Sequence, residues 1–122
     1  MALPYHEPTD ELSASAREVH RALTTLIEEL EAVDWYHQRV DVTGDEDLKA
    51  ILLHNRDEEI EHAAMALEWL RRRIPKFDEE LRTYLFTSGP ITELEEAPEG
   101  ESGEPAPATG GTDDLGIGKA GA

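Results

Sequence analysis

The chain contains no cysteine, which removes disulfides and thiolate metal sites together and leaves carboxylate and imidazole as its strong metal ligands. Any bound metal is then one those donors suit, such as Fe, Mn or Zn. Aromatic residues are scarce at 6%, and the hydrophobic fraction is only 39% of 122 residues. A chain with so little to close a core gains much by burying an apolar face against a partner. Basic residues are outnumbered 28 to 11 by acidic ones, for a net charge of −17, and the one basic run that stands out is Arg71-Arg72-Arg73. That balance argues against nucleic acid and anionic lipid, and in favour of cations. No stretch approaches the roughly 18 consecutive apolar residues of a membrane span, and Met1 to Asp10, with two prolines and no apolar run, does not resemble a signal peptide. A soluble cytoplasmic protein is the expectation.

What is present is helical periodicity. Leu12, Ala16, Val19, Leu23, Leu26, Ile27, Leu30 and Val33 recur at helical spacing and predict a long helix over about residues 10–40. Val42-Thr43-Gly44-Asp45 ends it, with Gly44 suited to a positive φ and Thr43 with Glu46 suited to a capping box for the next helix. The second helix is predicted over about residues 45–73, on the stripe Leu48, Ile51, Leu52, Ala63, Ala66, Trp69 and Leu70. So short a link makes the two antiparallel. Ile74-Pro75 stops the second helix and starts a shorter third one, which Gly89-Pro90 ends. From about Glu95 the composition turns to Glu, Gly, Pro, Ser and Thr without periodicity. The expected organisation is a flexible N-terminus over 1–9, an all-α helical domain over 10–96, an acidic disordered linker over 97–113 and a terminal peptide over 114–122.

One carboxylate sits on the wrong face. At about 100° per residue, Glu59 falls among Leu48, Leu52, Ala66 and Leu70, and His62 lies one turn on. A lone carboxylate in an apolar stripe is costly to desolvate, and a metal is one remedy. Glu59-x-x-His62 puts an oxygen and a nitrogen ligand on one face, as in half of a dinuclear centre in a ferritin-like bundle. With 19 Glu and 5 His, about one such pair arises by chance, so the spacing counts only because of its face. The bland reading is a surface Glu beside a hydrogen-bonded His.

On the first helix Glu28, Glu29 and Glu31 compete for the complementary position. Glu29 has Ala22, Leu26, Val33 and Tyr36 as helical neighbours, whereas Glu28 and Glu31 look more solvated. Glu29 is therefore the expected ligand. Glu28 and Glu31 read as an acidic rim that attracts divalent cations, or as an ordinary charged helix face. Tyr36 lies on the edge that carries Glu29 and serves either the site or packing. His54 is the rival ligand, and His37 lies near the core face. One chain supplies one Glu and one Glu-x-x-His, while a ferritin-like centre needs two of each from four helices. A symmetric dimer completes it, and four carboxylates then offset two divalent cations.

The runs Glu28-Glu29-Leu30-Glu31-Ala32-Val33-Asp34-Trp35-Tyr36 and His54-Asn55-Arg56-Asp57-Glu58-Glu59-Ile60-Glu61-His62-Ala63-Ala64-Met65 resemble the encapsulated ferritins. So do Leu67-Glu68-Trp69-Leu70-Arg71-Arg72 and Leu81-Arg82-Thr83-Tyr84-Leu85-Phe86-Thr87, and the likeness covers most of residues 6–96. The resemblance implies a two-helix ferritin-like protomer, a four-helix bundle formed by dimerisation, a ferroxidase centre shared between two chains, and a ring-shaped homodecamer. It implies iron ligation by Glu29, Glu59 and His62, a neighbouring role for Tyr36, and access of metal past Glu28 and Glu31 with Trp35 nearby. Iron is the implied metal, with Zn, Mn or Ca able to take the centre or the rim. Ile60 stands where the family pattern has Lys, and His37 where Asp or Asn is more familiar. The ending Asp114-Leu115-Gly116-Ile117-Gly118-Lys119 is similar to an encapsulin cargo-loading peptide, in which Leu115 and Ile117 would fill two apolar pockets of a shell protein.

Two readings follow. In the first, the chain is a ferroxidase that oxidises Fe(II) to Fe(III) with O2 as acceptor and delivers iron for storage inside an encapsulin nanocompartment. In the second, it is a non-catalytic acidic dimerisation module with a structural Zn or Mn, carried as cargo by its C-terminal peptide.

Overall fold

The structure, a computed structural model, describes residues 4–95, and every regular element among them is helical. A single 3-10 turn, Thr9–Glu11, precedes α1 (Ala14–Val42), α2 (Glu46–Arg73), α3 (Pro75–Tyr84) and α4 (Ile91–Leu94). No helix among the described residues is long and apolar enough to cross a membrane. The chain divides into two compact units, one ending at Arg73 and the other beginning at Ile74.

In the first unit α1 starts later than its periodicity suggests. Ser13 caps it, its side-chain oxygen accepting the amide of Ala16 at 3.0 Å, so one of the helix's orphan donors is satisfied. The residues before it are tied back by Arg17, whose guanidinium donates to the carbonyls of Thr9 (2.9 Å) and Leu12 (2.8 Å), and by Tyr5, which stacks on His20 at 4.1 Å. α1 then runs 29 residues and packs along the 28 residues of α2 as a hairpin.

The turn between them differs from expectation. Gly44 does not take a positive φ, and Thr43 closes α1 in extended geometry (φ −69°, ψ 140°). Asp45, not Thr43, caps α2, its carboxylate accepting the amide of Leu48 at 2.9 Å. Asp and Thr are both good caps, and the Thr43-x-x-Glu46 spacing pointed two residues too early. The three arginines ending α2 are occupied within the helix. Glu68 accepts from Arg71 and Arg72 at 2.6–2.9 Å, and Arg73 lies over the Trp69 ring at 4.2 Å.

The buried core is thin. Leu52, Ala63 and Leu70 are the buried apolar residues of α2, and Thr24 is buried on α1 with its hydroxyl given to the His20 carbonyl. Leu48, Ile51, Leu53, Ile60 and Met65 of α2 and Leu30 and Trp35 of α1 remain exposed. In the second unit Pro75 occupies the first turn of α3, as expected, after an extended Ile74. α3 is shorter than the apolar pattern implied. Phe86 follows it with φ 62°, a strained conformation for an aromatic residue, and with its side chain almost fully exposed.

Candidate metal centre

Glu29 lies midway along α1, and Glu59 and His62 lie midway along α2. The antiparallel hairpin brings these two midpoints together. Nδ1 of His62 is 3.3 Å from a carboxylate oxygen of Glu59 and 3.8 Å from one of Glu29. One ligand atom from each of the three lies within 4.8 Å of the others, and no further such cluster occurs among the described residues. With metal–ligand bonds of about 2.1 Å, the edge of a tetrahedron is about 3.4 Å. The shortest separation already has that size, and the others need only side-chain rotation. Two oxygens and an imidazole nitrogen are a donor set suited to iron, manganese or zinc.

The environment of the three is neither core nor open surface. The side chains of Glu29 and Glu59 are 25% and 24% exposed and that of His62 is 40% exposed, at the border between the buried stripe and solvent. Crowding shows in Glu29, whose carboxyl is held above the usual carboxylate range. The largest cause is a hydrogen bond shared with Glu59, followed by burial and the Glu59 charge, with His62 acting in the opposite sense. Two carboxyls crowded in this way form a site to which a divalent cation would bring the missing charge. Three donors would leave the coordination shell of a divalent cation incomplete, and the half-exposed side of the cluster is open to further ligands.

Glu28 is exposed and adds its charge to Glu29, while Glu31 is half-buried rather than solvated. Tyr36 is half-buried with Arg39 over its ring at 5.4 Å, and Trp35 is exposed. His54 does not join the cluster and instead faces Glu58 at 3.8 Å. His37 makes a cross-hairpin contact, its Nδ1 lying 3.3 Å from a guanidinium nitrogen of Arg56. Glu58, to which sequence reasoning gave no role in the site, also lies 3.9 Å from Nε2 of His62. Its i,i+4 position relative to His62 was the available signal. Leu115, Ile117 and the expected linker lie outside the described residues.

Comparison with known proteins identifies the family. Residues 4–88 match the EncFtn-like family. The chain belongs to that family. Among its relatives, a ferritin-like protein of Thermotoga maritima is 60% identical over 119 residues, spanning 98% of this chain and 99% of the relative. An encapsulated ferritin-like protein of Rhodospirillum rubrum is 56% identical over 118 residues, 93% of this chain and 84% of that one. An encapsulin nanocompartment cargo protein of Myxococcus xanthus is 41% identical over 97 residues, 75% of each chain. A crystal structure of a Nitrosomonas europaea protein, 64% identical, superposes with a TM-score of 0.70 over 71% of this chain and 96% of that one.

Proposed function

We propose that this chain is a ferroxidase whose di-iron centre is completed by a second copy of itself. The observation that carries the proposal is the convergence of Glu29, Glu59 and His62 at the half-exposed edge of the hairpin. Membership of the EncFtn-like family supports it. Paired about a two-fold axis, two hairpins make a four-helix bundle carrying two Glu29, two Glu59 and two His62, the ligand count of a ferritin-like dinuclear site. Fe(II) is the substrate. Two ions held about 3.5–4 Å apart can each give one electron to a single O2. The protein's part is to bind, pair and orient the ions and to accept the Fe(III) charge in carboxylate oxygens. Glu28 and Glu31 attract cations towards the centre past Trp35, and Tyr36, two turns along α1 from Glu29, is the tyrosine assigned to the centre in this reading.

We further propose that the chain works as cargo inside an encapsulin shell, reached through residues 114–122 with Leu115 and Ile117 as anchors and residues 97–113 as tether. The names of the Rhodospirillum and Myxococcus relatives support this. Deleting residues 114–122 is expected to abolish loading into a co-expressed shell and to leave iron oxidation unchanged. Activity itself is tested by following the absorbance of Fe(III) as Fe(II) is added aerobically. Glu59→Ala and His62→Ala should fall to the protein-free rate while the intact chain exceeds it. An intact chain at that same background rate would favour a structural Zn or Mn site in a non-catalytic module.

A further inference from the structure

The cluster uses only one nitrogen of His62. Nδ1 faces Glu59 and Glu29 at 3.3 and 3.8 Å, whereas Nε2 points along α2 to a carboxylate oxygen of Glu58, 3.9 Å away and one turn back. The other Glu58 oxygen lies 3.8 Å from Nε2 of His54, a further turn back. We propose that Glu58 is a positioning residue for the metal centre: its carboxylate accepts the Nε2–H of His62 and fixes the imidazole with Nδ1 turned into the cluster.

The argument begins with the freedom of a histidine ring. The χ2 torsion is broad and roughly two-fold, so an imidazole on a helix face can present either edge, and only one edge places a lone pair between Glu29 and Glu59. When Nδ1 binds a cation, Nε2 carries the remaining proton and becomes a stronger donor, and metal-binding histidines nearly always give that proton to a carboxylate or carbonyl. Glu58 stands at i−4 from His62, where side chains on a helix surface meet. Its side chain is 49% exposed and free to rotate the short distance that brings 3.9 Å to hydrogen-bond length. Such contacts are often long in an unloaded site and tighten on loading. His54, more exposed still at 71%, borders the second oxygen at 3.8 Å. Glu58 needs no contact with metal in this role.

The inference rests on the metal centre proposed above, and its test separates the two. Zn(II), which is redox-inert, is titrated into the full chain in competition with a chromophoric chelator, using wild type, Glu58→Leu and Glu58→Gln. Helical circular dichroism checks that each variant folds. Glu58→Leu should bind about 10–100-fold more weakly. Glu58→Gln, which keeps an acceptor oxygen without the charge, should recover most of that loss. In the Zn-loaded wild type labelled with 15N-histidine, the Nε2–H proton should be visible through slow exchange and should vanish in Glu58→Leu. Equal affinity of Glu58→Leu and wild type would overturn the role of Glu58 alone, and so would a glutamine variant as weak as the leucine one, since only general charge would then count. A wild type that takes up no Zn(II) would overturn the centre and the positioning role with it.

Discussion

The electrostatics of the site predict that neutralising Glu59 changes pairing in opposite directions with and without metal. Each hairpin already holds Glu29 and Glu59 close enough for a shared hydrogen bond that lifts the Glu29 carboxyl, and pairing would bring four such groups together. Two charges about 4 Å apart repel by about 4 kcal/mol at an effective dielectric of 20, and by about 1 kcal/mol in water. These side chains are about three-quarters buried before pairing, so each new contact falls between those limits. Metal reverses the sign. If each of the two sites binds only the pair, metal at 100 times its dissociation constant contributes about 2.7 kcal/mol per site. The two sites together raise the association constant by about 10,000-fold.

Glu59→Gln removes two of the four charges and two of the ligands. The variant should therefore associate more tightly than wild type in the presence of a chelator, and far more weakly than wild type when Zn(II) is present. Sedimentation equilibrium at matched ionic strength reads both constants. A wild-type association constant that is the same with chelator and with saturating Zn(II) would refute the shared site. A variant weaker than wild type in both conditions would show Glu59 to be an ordinary structural residue at the interface.

Three further outcomes are expected. Because the Glu29 carboxyl is raised, its proton contributes stability to the metal-free protein at low pH that is lost as pH rises through the raised value; metal competes with that proton at low pH, so calorimetric titration in buffers of different ionisation enthalpy should show proton release that shrinks at higher pH. Glu68, held down to about 2 chiefly by its hydrogen bond to Arg71, contributes stability above the ordinary carboxylate range that fades as pH falls towards 2; since its side chain is 40% exposed, screening limits the effect, and Glu68→Gln should cost only about 1 kcal/mol near pH 7 by urea unfolding. Leu70 is the fully buried side chain of α2, and Leu70→Ala should cost about 2–5 kcal/mol in the same assay, whereas Met65→Ala, exposed in the single chain, should act on association instead.

The hairpin was legible because periodicity and breakers agreed. Leu52, Ala63 and Leu70 mark the face that is buried, and Pro75 sits where α3 begins. The helix ends were less so. Thr43 and Asp45 are both capping residues two positions apart, and spacing alone does not decide which one bonds an amide. The onset of α1 was misplaced because Leu12 continues the apolar pattern while Ser13 breaks the helix behind it. At the site, Glu59 was marked by its apolar neighbours and Glu29 by comparison with Glu28. Glu31 was read as more solvated than it is, since Glu28 and Asp34 stand three residues to either side of it. Glu58 was hidden because a carboxylate on a charged face looks like every other one until the orientation of the His62 ring is known.

One feature of α2 joins the fold to the chemistry. A helix with one partner needs one apolar stripe, yet α2 carries apolar residues well beyond the buried Leu52, Ala63 and Leu70. Leu48, Ile51 and Met65 lie exposed on the flank where His62 lies, so the cluster is bounded on one side by packed core and on the other by apolar surface that water covers in the single chain. Exposed apolar area of this kind marks an interface, and carboxylates at the border of an interface are a liability unless their charge is met there. The apolar flank therefore favours a second copy at the edge where the ligand set is half complete. In the proposed assembly, the energy that closes the bundle and the energy that holds the metal act on one surface. Variants that lose the interface should then lose the site, whereas variants that lose the site should lose only the part of the association that metal supplies.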